Sequence, residues 1–162
     1  VEYAHAAGAS VEAELGTVGG TEDGLVVNPD AAKLTDPDDA VEFIERTGID
    51  ALAVAIGTNH GQYKSKTSIN LDVLESIHQV ATKPLVIHGG TGVSDADVHK
   101  VIDRGIRKFN VGTELLVQWN RKSKELYEAH KENVSNRDNV VPALEVVQGI
   151  VERKISLFKN IR

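Results

Sequence analysis

The 162-residue sequence contains no cysteine, no methionine and no long apolar run. Without cysteine, the chain cannot form disulfides, use a thiol nucleophile or bind zinc through thiolates. A transmembrane helix needs about 20 consecutive apolar residues, and the sequence has neither such a run nor a signal-peptide pattern. These absences predict a cytoplasmic protein. The missing methionine and the first residue, Val1, also predict a processed product, a fragment or a chain whose beginning lies elsewhere.

Positive charge is the scarcer sign, because 18 Lys and Arg face 24 Asp and Glu and give a formal net charge of −6. An acidic balance disfavours nucleic acid or an anionic membrane as a partner. With 41% hydrophobic and 26% charged residues, the composition is that of a globular protein that can bury a core. The length suits one domain, so we expect residues 1–162 to belong to a single domain.

Apolar runs of strand length alternate with helix-period segments along the chain. Helix starts are indicated by capping residues and early acids at 35–39 and 94–97, and helix ends by Gly48 and Gly105. The predicted strands are 10–15, 51–56, 84–87 and 108–111; the predicted helices are 35–48, 71–80, 94–105, 114–130 and 142–158, with a loop at 133–139.

This alternation predicts an α/β fold in which a parallel sheet is covered by helices. Two architectures fit: an open doubly wound sheet, and part of a (β/α)8 TIM barrel. No dinucleotide-binding G-x-G-x-x-G follows a strand, and no G-x-x-x-x-G-K-[ST] phosphate loop occurs. In both architectures ligands bind at the carboxyl ends of the strands. The polar and glycine-rich segments of this sequence all follow predicted strands.

Two acids, Glu12 and Glu14, lie two residues apart on the first predicted strand and therefore share one face. A lone acid at a strand end is usually solvated, whereas a buried pair needs a cation or hydrogen-bond donors. The two-glycine loop that follows, together with Glu22, makes a functional interpretation as strong as the structural one.

His60 and His88 follow the second and third predicted strands, and each is followed directly by glycine. A single strand-end histidine is usually an ordinary hydrogen-bonding residue, but two at equivalent positions can ligate one cation. Histidine and glutamate without cysteine suit a catalytic zinc site with an open position. The other histidines are predicted on helices, in surface or structural roles: His5, His78, His99 and His130.

Two glycine-containing loops precede predicted helices, GGTG at 89–92 and NVGT at 110–113. Backbone N–H groups ahead of a helix bind phosphate, and the last two loops of a (β/α)8 barrel often do so. Either loop alone also suits a tight turn. Both on adjacent strands, with Lys64, favour a phosphorylated substrate.

Five segments, taken together, resemble the class II, zinc-dependent fructose- and tagatose-bisphosphate aldolases. They occur in that family's order and spacing over essentially the whole chain, which ends in the family's C-terminal helices. The resemblance implies a (β/α)8 TIM barrel, of which residues 1–162 supply the C-terminal half: four parallel strands plus C-terminal helices. The segments are VEAELG at 11–16, GG-x-ED at 19–23, GTNHG-x-YK at 57–64, HGGTG at 88–92 and NVGT at 110–113.

The resemblance also implies a reaction and residue roles. Family members reversibly cleave a ketose bisphosphate to dihydroxyacetone phosphate and glyceraldehyde 3-phosphate, in glycolysis and related carbohydrate metabolism. Zn2+ serves as the Lewis acid, with a monovalent cation, Na+ or K+, nearby. His60 and His88 would ligate zinc, Glu14 would be an alternate or assisting ligand, and Glu22, on a mobile loop, would move the carbon-bound proton. Substrate would be held by Gly61, Lys64, Gly89, Gly90, Thr91, Asn110, Gly112 and Thr113.

Two departures from the family pattern matter. The family's Asp-x-Ser-His element, which carries another zinc ligand and the acid/base Asp, is absent. We therefore expect the chain alone to be inactive and to need the N-terminal half of the barrel as a partner. Gly112 stands where many fructose-type members carry Asp and tagatose-type members a small residue, whereas the loop at 89–92 resembles the fructose type, so both sugars stay open. Family members are dimers or tetramers, and we expect a homo-oligomer.

Two other functions stay open from the residues alone: another metal-dependent sugar-phosphate lyase, and a non-catalytic phosphate-binding half barrel with a regulatory or assembly role. Glu22 argues against the second, because phosphate binding alone has no use for it. The missing Asp-x-Ser-His element argues for it. Zinc stoichiometry in the complete barrel distinguishes the two, because only a metal-dependent enzyme needs the ion.

Overall fold

A computed structural model describes residues 1–22, 25–27, 32–61, 68–132 and 135–159, with the backbone alone at 21, 22, 25–27 and 60. Lys64, predicted to bind phosphate, lies outside these residues. No helix in the described part of the chain is long and apolar enough to cross a membrane.

The chain divides into two compact units, Val1–Val111 and Gly112–Arg162. Among the described residues, the strands lie in the first unit, and the elements of the second unit are helices. In chain order the elements are α1 (Glu2–Ala6), β1 (Glu12–Leu15), β2 (Gly19–Glu22), β3 (Leu25–Val27), α2 (Pro37–Thr47), β4 (Ala51–Val54), β5 (Asn59–His60), α3 (Leu71–Val80), β6 (Leu85–Ile87), α4 (Asp95–Asp103), β7 (Ile106–Phe109), α5 (Thr113–Ala129) and α6 (Arg137–Phe158).

The main sheet of the first unit is parallel, and its strand order is β1-β4-β6-β7. Each strand therefore lies beside the next long strand of the chain, with no reversal of direction in the order. A doubly wound sheet reverses its order at a switch point, whereas a (β/α)8 barrel does not. The prediction of parallel α/β units is confirmed, and the order selects the barrel type over the doubly wound alternative.

Three helices of the first unit, α2, α3 and α4, begin directly after a residue whose side chain caps the helix. The Asp36 side chain accepts hydrogen bonds from the N–H groups of Asp38 and Asp39, Pro37 is the first helical residue, and Gly48 ends α2 at φ 68°. Asn70 and Ser94 cap α3 and α4 in the same way. These caps fix where the three helices begin.

The core lies between the sheet and the helices. Alternate residues of β4 and β6, such as Leu52 and Leu85, are almost fully buried on this side of the sheet. They pack with apolar residues of the helices to form one cluster: Ala40, Ile44, Ile49, Leu52, Val54, Ile56, Leu74, Ile77, Leu85, Ile87, Val101 and Ile106. Because side chains alternate along a strand, the residues between these core positions, such as Ala53 and Val86, face the opposite side of the sheet.

Three short strands form a second sheet that the sequence did not predict. β2 pairs antiparallel with β3 and parallel with β5. The prediction of a loop at the two-glycine segment and Glu22 was wrong, because the backbone from Gly19 to Glu22 is a strand. Two glycines and a two-residue β5 give little strand propensity, so pairing with neighbouring backbone, rather than side-chain type, forms these strands.

Two predicted boundaries also differ from the structure. β7 begins at Ile106, two residues before the prediction, although Arg107 and Lys108 are charged. α6 begins at Arg137, five residues before the predicted start, and contains Pro142 in its interior. In the second unit, Glu114 near the start of α5 pairs with Arg153 and Lys154 near the end of α6, so these two helices are antiparallel.

Candidate active site

The strand register places two carboxylates above small residues on the face opposite the helices. Glu12 pairs with Ala51, and Glu14 pairs with Ala53. Ala53 in turn pairs with Val86 of β6. Paired residues of parallel strands point to the same face, as do residues two apart. The alanines of β4 therefore leave room for the two glutamates to reach across β4 towards β6.

β6, β7 and the residues directly after them add three polar side chains to the same face: His88, Lys108 and Asn110. Val86 pairs with Lys108 across a β-bulge, rather than with Arg107. A bulge redirects side chains and is common beside active sites, and here it puts Lys108 on the glutamate face. His88 and Asn110 follow Val86 and Lys108 by two residues, so alternation places them there too.

His88 is the centre of the resulting cluster, because its ring contacts a carboxylate on each side. Nδ1 lies 2.5 Å from Oε2 of Glu14, and Nε2 lies 3.0 Å from Oε1 of Glu12. The His88 side chain is only 17% exposed. The structure thus brings together two of the predicted site residues, Glu14 and His88, although two strand spacings separate them.

Lys108 and Asn110 extend the cluster along β7. Nζ of Lys108 lies 2.8 Å from Oε2 of Glu12 and donates to Oδ1 of Asn110 at 2.5 Å. The two acids are only partly covered, with side chains 25% and 29% exposed. They nevertheless have the donors expected for a paired site: His88 for both carboxylates and Lys108 for Glu12. Asn110, a predicted substrate residue, joins the cluster through Lys108.

The electrostatics of the cluster follow from these contacts. Burial raises the pKa of the Glu12 carboxyl, but hydrogen bonds from Lys108 and His88 outweigh burial and hold it below its ordinary value. The hydrogen bond with Glu14 is the main cause that raises the pKa of His88; burial opposes it and Glu12 reinforces it. Without a metal ion, the cluster therefore favours a charged imidazole between two carboxylates.

The backbone of Asn59, the residue before His60, passes directly beside Gly89, the residue after His88. Gly89 adopts φ +68°, and a Cβ on it would lie 2.1 Å from the carbonyl oxygen of Asn59. His60 is the second residue of β5 and pairs with Gly20 of β2. The backbone next to His60 therefore lies close to the backbone next to His88. The side chain of His60 lies outside the described residues, so the meeting of both imidazoles at one cation stays a prediction.

The loop after β6 forms a short 3-10 helix, Gly90–Gly92, rather than an open turn. The Gly90 N–H donates to the carbonyl oxygen of Asn110 at 3.0 Å, and the Asn110 N–H donates to that of Ile87 at 2.9 Å. The Gly90 N–H, which lies in a loop predicted to bind phosphate, therefore hydrogen-bonds to the other predicted substrate loop at Asn110. Thr91 lies half-buried within this turn.

The remaining predicted site residues are placed less completely. Glu22 is the last residue of β2, two positions beyond the pairing of Gly20 with His60, and its side chain is not described. Gly61 follows β5 with φ 84°. Gly112 and Thr113 belong to the second unit, at the start of α5.

Glu12 and Lys108 are site residues that sequence reasoning missed. Glu12 was paired with Glu14 by strand alternation, but only Glu14 was given a role. Lys108 was included in the fourth predicted strand without a function. The signal that predicts both is the same two-residue spacing, Glu12 to Glu14 and Lys108 to Asn110, because each partner shares a face with a predicted site residue.

The cluster offers metal-binding atoms of two kinds. Among the residues whose side chains are described, no group of three or more His, Asp or Glu forms a metal-binding constellation. Nδ1 of His88 and Oε2 of Glu14 nevertheless point at each other, and imidazole nitrogen with carboxylate oxygen is a donor set that zinc accepts. The chemistry of these two donors is therefore compatible with part of a zinc site.

Comparison with known proteins gives the family. Residues 1–161 match the profile of the family described as fructose-bisphosphate aldolase class-II. The chain belongs to the class II fructose-bisphosphate aldolase family. The order and spacing of the five segments in the sequence predicted this membership, and the match covers nearly the whole chain.

Relatives in this family extend well beyond the chain. A fructose-bisphosphate aldolase of Staphylococcus aureus (strain Mu50 / ATCC 700699) is 42% identical over 158 residues, 98% of this chain and 54% of that protein. The crystal structure of the YdjI aldolase from Escherichia coli K12 is 37% identical, with a TM-score of 0.77 over 98% of this chain and 52% of that one. This chain therefore spans about half the length of the relatives it matches.

A more distant structure shares the fold. The fructose-bisphosphate aldolase Fba from Campylobacter jejuni is 22% identical, with a TM-score of 0.72 over 96% of this chain and 53% of that one. At that identity the likeness concerns the fold alone. The two chains therefore share a fold although only 22% of the aligned residues are identical.

Proposed function

We propose that this chain is the C-terminal half of a class II aldolase barrel that reversibly cleaves a ketose bisphosphate with the help of Zn2+. The observation that carries the proposal is the meeting of His88 and Glu14 at 2.5 Å at the carboxyl end of the sheet. The family match supports the reaction class. Dihydroxyacetone phosphate and glyceraldehyde 3-phosphate are the products that we propose.

His88, Glu14 and His60 are the residues that we propose to hold the metal. When bound, zinc supplies a Lewis acid for the negative charge that develops during aldol cleavage. His88 and Glu14 bring a neutral and an anionic donor to one point, and the half-buried position of His88 limits its exposure to water. His60 is the last residue of β5, and the backbone of this strand packs against Gly89.

Glu22 is the residue that we propose to move the proton at the carbon of dihydroxyacetone phosphate. A carboxylate is a suitable general base for a carbon acid when it is positioned in the transition state. Its place at the end of β2, two residues beyond the contact with His60, supports this role. β2 therefore connects the metal position to the proton-transfer residue through backbone pairing.

Phosphate recognition is assigned to the loops after β5, β6 and β7. We propose that Gly61, Lys64, Gly89 and Thr91 contribute from the first two loops, with a monovalent cation nearby. The 3-10 turn at Gly90–Gly92 presents backbone next to a helix start, and this geometry favours anions. Asn110, Gly112, Thr113 and Gly90 complete the proposed set, which leaves the choice between fructose and tagatose bisphosphate to experiment.

The proposal includes a complete barrel. β1 and β7 each have one neighbour in the described main sheet, and a closed barrel gives every strand two. We propose that residues 1–162 form one domain with an N-terminal half, which supplies the Asp-x-Ser-His element, and that the assembled protein is a cytoplasmic homo-oligomer. Phosphorylated sugars are charged metabolites held inside cells, which supports this location.

The test is an aldolase assay on the full natural polypeptide that contains this chain. The protein is stripped with a chelator, reloaded with zinc and given fructose or tagatose 1,6-bisphosphate. We expect activity with one or both sugars that depends on zinc, and we expect His88→Ala to lose both zinc and turnover. His99→Ala, on helix α4, is the matched control and should keep both.

The assay also separates the alternatives. Turnover of neither sugar with zinc bound would replace the proposal with another metal-dependent sugar-phosphate lyase. Phosphate binding without zinc or turnover would replace it with a non-catalytic phosphate-binding barrel. Glu22→Gln should retain zinc and lose turnover, and normal turnover in that variant would remove Glu22 from the mechanism.

A further inference from the structure

The two ring nitrogens of His88 face different carboxylates at different heights on the sheet. Nε2 lies 3.0 Å from Oε1 of Glu12, while Nδ1 lies 2.5 Å from Oε2 of Glu14. Glu14 is two residues nearer the carboxyl end of β1, the edge where ligands bind in parallel sheets. Glu12 lies deeper in the sheet, with its side chain 25% exposed.

Glu12 is anchored by a cation, which makes it a fixed acceptor. Nζ of Lys108 lies 2.8 Å from Oε2 of Glu12 and 3.1 Å from Oε1. The same Nζ donates to Oδ1 of Asn110. Lys108 thus links the carboxylate on β1 to the residue after β7, and the bulge in β6–β7 pairing is what turns Lys108 to this face.

A histidine that ligates a metal with one nitrogen usually donates the N–H of its other nitrogen to a carboxylate or carbonyl, which fixes the ring and its tautomer. Glu12 occupies the position of that acceptor at Nε2. The nitrogen left for a metal is then Nδ1, on the side of Glu14 and the strand ends.

We propose that Glu12, held by Lys108, is a positioning residue that orients His88 so that Nδ1 is its metal-ligating nitrogen. This inference rests on the proposed function, because it concerns a zinc ligand. It adds two residues to the site, and neither of them needs to touch metal or substrate.

The test measures zinc affinity of the full natural polypeptide by competition with a chromophoric chelator. Glu12→Ala should weaken zinc binding roughly 10- to 100-fold, the range for loss of such a partner. Glu12→Gln, whose amide oxygen can still accept the Nε2 hydrogen bond, should weaken it less. Lys108→Met should weaken it in the same direction. Glu125→Ala, which removes an exposed partner of Lys122, should leave it unchanged.

A second measurement reports directly on the two nitrogens of the His88 imidazole. Nitrogen-15 NMR of the zinc-loaded protein should report zinc on Nδ1 of His88 and a proton retained on Nε2, with that proton exchanging faster in Glu12→Ala. Circular dichroism identifies any variant that fails to fold, in which case Glu12→Gln and Lys108→Met carry the test.

These measurements distinguish failure of the positioning role of Glu12 from failure of the proposed function. Zinc-dependent turnover in the wild type with unchanged affinity in all three variants would overturn this inference and leave the proposed function standing. Zinc on Nε2 would do the same. A wild type that binds no zinc would overturn the proposed function and this inference with it.

Discussion

Glu14 of β1 reaches Nδ1 of His88 across the whole width of β4, at 2.5 Å. The contact depends on the small side chains of Ala51 and Ala53, which pair with Glu12 and Glu14 in the strand register. Ala53 is fully buried beneath the cluster. A larger residue at this position would occupy the space that the carboxylates cross.

Ala53→Leu should therefore disturb both stability and metal binding. Overpacking a tightly packed site costs about 1–3 kcal/mol, so the thermal midpoint of the full polypeptide should fall by several degrees and zinc retention should decrease. Ala96→Leu, at an exposed position of α4, is the control. An unchanged midpoint and full zinc content in Ala53→Leu would mean that the face above β4 is not filled as described.

Gly89→Ala should strongly destabilise the protein. Gly89 has φ +68°, and a Cβ would meet the Asn59 carbonyl oxygen at 2.1 Å. The backbone of β5 would have to move, in addition to the roughly 1 kcal/mol or more that a left-handed conformation costs a residue with a Cβ. The measurement is the thermal unfolding midpoint of Gly89→Ala, compared with that of a second glycine variant, Gly149→Ala.

Gly149 lies inside α6 with nothing within 4 Å of an added Cβ. Gly149→Ala should leave stability equal or raise it by up to about 1 kcal/mol, because alanine favours the helix interior. If both glycine variants unfolded at the same temperature, the close approach of β5 to Gly89 would be contradicted.

Thr35→Val should destabilise the junction between β1 and β4. The buried Thr35 hydroxyl donates to the Leu15 carbonyl at 2.6 Å and accepts from the Ala55 N–H at 2.8 Å. Valine keeps the shape but leaves both backbone groups unsatisfied, at a cost of about 1–3 kcal/mol for each buried group. Urea unfolding should show this loss, whereas Thr47→Val on the half-buried side of α2 should show a smaller one. Equal midpoints for the two variants would argue against the bridge.

Asp50 should give the protein a pH-dependent increment of stability. The hydrogen bond with His5, and then that from the Val11 N–H, lower the pKa of the Asp50 carboxyl. A folded pKa below the unfolded value of about 3.9 means that the increment is present above the unfolded pKa and is lost as pH falls through the folded one.

The measurement is the thermal midpoint of wild type and Asp50→Asn at several pH values. The difference should be largest near about pH 7 and should shrink below about pH 4, with Asp103→Asn as the control for loss of one exposed negative charge. A difference that grew on acidification would have the wrong sign for this account.

Much of the main sheet could be predicted because β4 and β6 are continuously apolar and their helices carry explicit caps. Residues such as Asp36, Ser94 and Gly48 specify helix ends locally, so their effect can be derived without the tertiary structure. The second sheet could not be predicted in this way. β2 and β5 contain glycine and few apolar residues, and pairing between distant segments forms them.

In the candidate site, too, some residues could be predicted from local sequence and others only from the tertiary structure. Strand-end position identified His88 and Glu14, since parallel strands bring their carboxyl ends to one edge. Lys108 depended on the β7 register, and a bulge shifts that register by one residue. The two-residue spacing to Asn110 places Lys108 on the face of a predicted site residue, but its ion pair with Glu12 across β4 and β6 could be found only in the structure.

The proposed zinc site is tested most directly by anomalous X-ray scattering at the zinc edge from crystals of the full natural polypeptide soaked with Zn2+. The proposed zinc site predicts an anomalous peak between Nδ1 of His88 and the Glu14 carboxylate. The imidazole and the carboxylate should have moved apart to coordination distances, with Glu12 still hydrogen-bonded to Nε2. A peak elsewhere in the molecule, or none while His88 and Glu14 remain in contact, would contradict it.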